Sequence, residues 1–137
     1  MVRILLVEDN EMSRDMLSRR LSRHGYEIIL ALDGKSAIET AHCISPNLIL
    51  MDLRLPDMNG KEVTRLLKSD PATTHIPILA LTAHAMESDR AEALRIGCDD
   101  FETKPVDFPR LLAKISSLVQ KQIPPQDPPH GLQFPAK

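Results

Sequence analysis

Asp52 directly follows the apolar run Leu48-Ile49-Leu50-Met51, and the acidic pair Glu8-Asp9 ends the apolar run Val2 to Val7 in the same way. Thr82 follows a further apolar run, Ile76 to Leu81, and Lys104 follows a short candidate strand around Asp100 to Thr103. A carboxylate pair, a lone carboxylate, a hydroxyl and an ammonium thus each stand where a candidate strand ends. Carboxylates gathered within about 5 Å repel by roughly 3 kcal/mol per pair at an effective dielectric of 20, so such a set calls for a positive partner. A hard divalent cation and the Lys104 ammonium would supply it. With the acids so neutralised, Asp52 is placed to attack phosphorus as a nucleophile, while Thr82 and Lys104 hold anionic oxygens.

Those side chains meet only if their strands lie parallel with one common edge, and the rest of the chain is patterned for that. Val2 to Val7 reads as a buried strand. Met12, Met16, Leu17 and Leu21 then fall on one helical face, closed by Gly25. Glu27 to Leu32 predicts a second strand, Ser36 to Ile44 a helix and Asn47 to Met51 a third strand, with Pro46 between the last two. Gly60 opens a helix carrying Val63, Leu66 and Leu67, Ile76 to Leu81 predicts a fourth strand, and Ala85 to Ile96 a helix closed by Gly97. After the fifth strand, a helix over Phe108 to Gln120 buries Leu111, Leu112, Ile115 and Leu118. Apolar strands alternating with amphipathic helices imply a parallel sheet covered on both faces. The fold class is α/β, a doubly wound, flavodoxin-like (βα)5 sandwich with strand order 2-1-3-4-5.

At 137 residues and 42% hydrophobic content the chain suits one domain. Its formal net charge of −2 gives no basic field for direct nucleic-acid binding. The apolar runs are too short to span a membrane and carry no cleavage pattern, so a cytoplasmic location is expected. Cys43 and Cys98 form no C-x-x-C pair and are expected as reduced thiols. His24, His42, His75 and His130 show no metal-ligand spacing and are expected at the surface. Residues 122–137, rich in proline, are expected as a disordered tail after a domain over residues 1–121.

The first strand–helix turn, Glu8-Asp9-Asn10-Glu11, would repel a bare phosphate, and no G-x-G-x-x-G or Walker sequence occurs. Flavin or nucleotide binding is therefore disfavoured. A phosphatase of the haloacid dehalogenase class also uses a strand-end aspartate, but needs a second acid two residues later, where Arg54 stands. Asp9 or Asn10 also suits a duller duty, capping the first helix.

Four stretches in order, Ile4-Leu5-Leu6-Val7-Glu8-Asp9-Asn10, Leu48 to Gly60, Leu79-Ala80-Leu81-Thr82-Ala83 and Lys104-Pro105, resemble the receiver domains of bacterial two-component response regulators. The likeness covers about residues 2–119. Glu8 to Glu11 and Thr82 to Met86 further resemble single-domain regulators, both DivK-like and chemotaxis-regulator-like. The resemblance implies that Asp52 accepts phosphate from a phosphohistidine of a histidine kinase or phosphotransfer protein. It makes Glu8, Asp9, Asp52 and the backbone carbonyl of Arg54 the ligands of Mg2+, with Mn2+ as the alternative metal. Lys104, followed by a cis peptide to Pro105, contacts the phosphoryl oxygens, Thr82 is the switch hydroxyl, and Phe101 is the aromatic that turns inward with it. The changed face is helix 4, strand 5 and helix 5, near Ala91, Leu94, Arg95, Phe101 and Arg110, and a downstream protein reads it. The chain is then a signalling phosphoacceptor and not an enzyme, a monomer or weak homodimer. The alternative is a phosphorelay intermediate, or a receiver detached from a hybrid kinase or larger regulator. Arg54 and His84 are expected to shield the acyl phosphate from water.

Overall fold

A computed structural model describes residues 1–57, 59–83 and 87–122. Five strands, β1 (Arg3–Val7), β2 (Glu27–Ala31), β3 (Leu48–Asp52), β4 (Ile78–Thr82) and β5 (Asp100–Thr103), alternate with five helices. The helices are α1 (Glu11–Arg23), α2 (Gly34–Ile44), α3 (Gly60–Ser69), α4 (Glu87–Arg95) and α5 (Phe108–Gln122). The strands form one parallel sheet in the order β2-β1-β3-β4-β5, as the sequence pattern predicts. Helix α5 runs on through Gln122, and residues 123–137, the rest of the expected tail, lie outside the described residues, as does His84.

Strand parity divides the core in two. Leu5, Val7, Ile49, Met51, Ile78 and Ala80 face one layer, with Ala37 and Ala41 of α2, Val63 and Leu67 of α3 and Ala93 of α4. Ile4, Leu6, Leu48, Leu50, Leu79 and Leu81 face the other, with Leu17 and Leu21 of α1 and Leu111, Ile115 and Leu118 of α5. Strand β3, central and wholly buried, ends in Asp52.

Three packing expectations are corrected. Leu17 and Leu21 are buried, but Met12 is 82% exposed and Met16 39% exposed. Helix α1 runs along the sheet next to its β2 edge, so the stripe carrying Met12 and Met16 passes beyond the sheet's cover. Strand β2 pairs only with β1 and is half-buried, with Leu30 46% exposed, so it is not covered on both faces as the inner strands are. Leu66 likewise stands outside the core that takes Val63 and Leu67. Both cysteines are free; Cys43 is exposed, while burial pushes the Cys98 thiol up to about 11 and keeps it inert. Among the described residues no helix is long and apolar enough to cross a membrane.

Candidate functional site

Parallel pairing brings the ends of β1 and β3 side by side, with Val7 opposite Met51. The next residue on each strand is therefore Glu8 or Asp52. Ligand oxygens of Glu8, Asp9 and Asp52 lie within 4.8 Å of one another. Glu8 and Asp52 are buried and Asp9 is exposed. The chain separates the capping duty from the site. The side chain of Asn10 accepts from the Ser13 N–H (2.9 Å) as the N-cap of α1, which leaves Asp9 to the cleft.

Lys104, carried just past β5 and followed by a cis peptide to Pro105, reaches into the acids. Its Nζ lies 2.8 Å from Oε1 of Glu8 and 3.5 Å from Oδ2 of Asp52. The Lys104 N–H donates to the Thr82 carbonyl at 2.7 Å, so the lysine is registered on β4 as well. The charges within the cluster do not cancel. Burial, then the hydrogen bond shared with Asp52, pushes the Glu8 carboxyl up to about 7 against the opposing pull of Lys104. Burial disfavours the Lys104 ammonium, yet Glu8 and Asp52 together hold its pKa above the ordinary value.

This donor set suits a small, hard cation. Oxygens bound to Mg2+ at about 2.0–2.1 Å lie roughly 3 to 4 Å apart around an octahedron, so the acids need close in by only a little. Arg54 lines the same cleft with Asn10, Ser13 and Ala83, and its N–H donates to Oδ1 of Asp52 at 3.0 Å.

Thr82 and Phe101 stand differently. Thr82 ends β4 and is buried. By parity it falls with Ala80 and Phe101 on the α3/α4 face, whereas Glu8, Asp52 and Lys104 fall on the α1/α5 face. Phe101 is a core residue packed in the layer of Ala80, Ala93 and Cys98. Ala91, Leu94, Arg95 and Arg110 are exposed, and Phe101 is buried beneath them.

Three residues to which the sequence pattern assigns no role at the site support it. Gly60 begins α3 against the turn that follows Asp52. A Cβ there would meet the Asp52 carbonyl oxygen at 2.6 Å and the Leu53 Cα at 2.6 Å. Only glycine allows that approach. Asp57 bonds to the start of α2. Glu102, buried on β5, accepts from Arg110 (2.9–3.2 Å) and lies 3.0 Å from the Lys114 Nζ. Burial alone would raise the Glu102 carboxyl, but these two cations hold it below the usual range. Lys114 also donates to the Phe101 carbonyl at 2.5 Å, so α5 grips β5 three residues before Lys104. The histidines join no metal-ligand group among the described residues; His42 instead bridges to Asp70 at 2.6 Å.

A family model for the response regulator receiver domain matches residues 4–116. Among curated proteins, the polar-differentiation response regulator DivK of Brucella anthropi is 39% identical over 114 residues, covering 83% of this chain and 93% of DivK. Among solved structures, the signal receiver domain of a signal transduction histidine kinase from Syntrophus aciditrophicus superposes with a TM-score of 0.84 at 29% identity, over 98% of this chain and 100% of that one. The receiver domain of sensor histidine kinase PA1611 from Pseudomonas aeruginosa, with a magnesium ion coordinated in its active site cleft, has a TM-score of 0.81 at 34% identity. It covers 87% of this chain and 98% of its own.

Proposed function

The chain belongs to the response regulator receiver domain family of two-component signalling, and on that premise we propose that residues 1–121 act as a phosphoacceptor switch with Asp52 as the acceptor. The observation that carries this is the buried Asp52 carboxylate, grouped within 4.8 Å with Glu8 and Asp9 and lying 3.5 Å from the Lys104 ammonium. An Asp52 oxygen forms the bond to phosphorus as the P–N bond of a donor phosphohistidine breaks, and the departing imidazole takes up a proton. Glu8, Asp9, Asp52 and the Arg54 carbonyl are the residues that would hold Mg2+, or Mn2+ in its place. Bound there, the metal neutralises the acids and the phosphoryl oxygens. Lys104 turns from the carboxylates toward the new oxygens.

Phosphorylation takes Asp52 from one negative charge to about two and adds acceptor oxygens. Thr82 must come round from the α3/α4 side to meet them, and its departure leaves room beside Phe101 in the same layer. A few kcal/mol of new hydrogen bonding inverts an equilibrium that began at roughly 1:30 to 1:100. The face of α4, β5 and α5 then changes for a downstream protein. A cytoplasmic chain, monomeric or weakly dimeric and independent of nucleic acid and membrane, completes the reading. The likeness to the histidine kinase receiver from Syntrophus, over 98% of this chain, also favours a second setting, a relay receiver detached from a hybrid kinase.

Incubation with acetyl phosphate and Mg2+ should add the mass of one phosphoryl group to the intact protein, and both chelator and Asp52→Asn should prevent it. Full modification of the Asp52→Asn protein would refute the assignment.

A further inference from the structure

Between β3 and α3 the chain must hold the Arg54 carbonyl in place without strand or helix pairing of its own. The near end of this connection is well tied. Leu53 N–H donates to the Leu81 carbonyl (3.1 Å), Arg54 N–H to Asp52 Oδ1 (3.0 Å) and Gly60 N–H to the Leu53 carbonyl (3.1 Å). The far end is tied by Asp57. Its Oδ1 accepts from the Gly34 N–H at 2.8 Å and its Oδ2 from the Lys35 N–H at 3.1 Å. These are the first two N–H groups of α2, which have no partners within the helix. The third, Ser36 N–H, goes to Asp33 Oδ1 at 2.8 Å.

Two carboxylates therefore share one helix N-terminus. Asp33 alone suffices as the N-cap. Asp57 comes from the loop beside the metal ligands, and its bond does something a cap does not: it fastens that loop to a helix anchored in the core by Ala37 and Ala41. A ligand fixed in advance binds better than one that must be ordered as the metal arrives.

We propose that Asp57 is a positioning residue for the metal site, a strap to α2 that presets the Arg54 carbonyl from outside the coordination shell. The inference rests on the reading that Arg54 supplies a ligand to Mg2+. Supporting groups of this kind change metal affinity by about 10- to 100-fold, and a strap acting on one neutral ligand belongs at the lower end, about tenfold.

Calorimetric titration of the full-length protein with MgCl2, well below its melting temperature, tests this. Asp57→Ala should bind Mg2+ about tenfold more weakly than wild type, and Asp57→Asn, which keeps one acceptor, should fall between. The control is Asp33→Ala, which weakens the same helix terminus and melts earlier but leaves the loop tied. Its Mg2+ affinity should match wild type. Without metal, the Arg54 and Gly60 amides should exchange faster in Asp57→Ala than in Asp33→Ala. Equal affinity of Asp57→Ala and wild type would overturn the strap, as would an equal loss in both alanine variants, which would make it only a matter of α2 stability. A wild type that binds no Mg2+ would overturn the metal reading first, and the strap with it.

Discussion

Replacing Glu8 by glutamine should stabilise the metal-free protein, although Glu8 is one of its most buried polar residues. Burial and Asp52 push the Glu8 carboxyl from 4.5 to about 7 in the fold. At about 1.36 kcal/mol per pKa unit, keeping Glu8 ionised above pH 7 costs the native state about 3 kcal/mol. The sign follows from the raised value. The folded protein holds this proton more tightly than the unfolded chain, so the cost is absent below pH 4.5, grows as pH rises through about 7 and is complete above it. Glutamine keeps the shape and an acceptor for Lys104 but carries no charge. In chelator, urea unfolding should show Glu8→Gln more stable than wild type by about 3 kcal/mol at pH 8 and about equal to it at pH 4. Saturating Mg2+ should reverse the order, because an ion held at 1,000 times its Kd adds about 4.1 kcal/mol to the protein that binds it. A gain that is the same at pH 4 and pH 8, or a mutant less stable than wild type in chelator at pH 8, would refute the reasoning.

The same relief is smaller at Asp9, whose carboxylate is exposed. Asp9→Asn should raise metal-free stability by less than about 1 kcal/mol, measured by urea unfolding, while Mg2+-dependent phosphorylation is lost. Gly60→Ala should destabilise by about 1–3 kcal/mol, seen as a lower urea midpoint at unchanged slope, because its new methyl meets backbone atoms that cannot swing aside. Its phosphorylation by acetyl phosphate should also slow, since those atoms belong to Asp52 and Leu53. The double variant Arg54→Ala, His84→Ala should lose its phosphoryl group several-fold faster than wild type in a dephosphorylation time course; equal rates would remove Arg54 and His84 as shields.

The sheet was legible because each inner strand is a short apolar run between helical patterns, and two of those runs end in acid. That alone located Glu8, Asp9 and Asp52 on one edge, and Lys104 followed from the same logic on β5. Periodicity did less well at the rim of the fold. Met12 and Met16 match the helical period of Leu17 and Leu21, but a period gives a stripe and not the extent of the sheet that covers it. Thr82 is legible as a strand-end hydroxyl, and Phe101 follows only from the family resemblance. Counting residues along their strands would have put them on the opposite face from Asp52, since side chains alternate. Asp57 reaches Gly34 and Lys35 across the fold, and Gly60 owes its role to a close backbone approach. No local pattern reports either. Glu102 carried a usable signal: a charged residue in the middle of a short strand needs partners once buried, and Arg110 and Lys114 one turn apart on α5 supply them.

The account turns on a covalent change at one carboxylate. Borohydride reduction of the protein after treatment with acetyl phosphate and Mg2+ converts an aspartyl phosphate to homoserine, and peptide mass mapping then locates it. The prediction is homoserine at position 52 and at no other aspartate, absent when metal is withheld. Reduction at a different aspartate, or an unchanged Asp52 in protein that has gained a phosphoryl group, would contradict it.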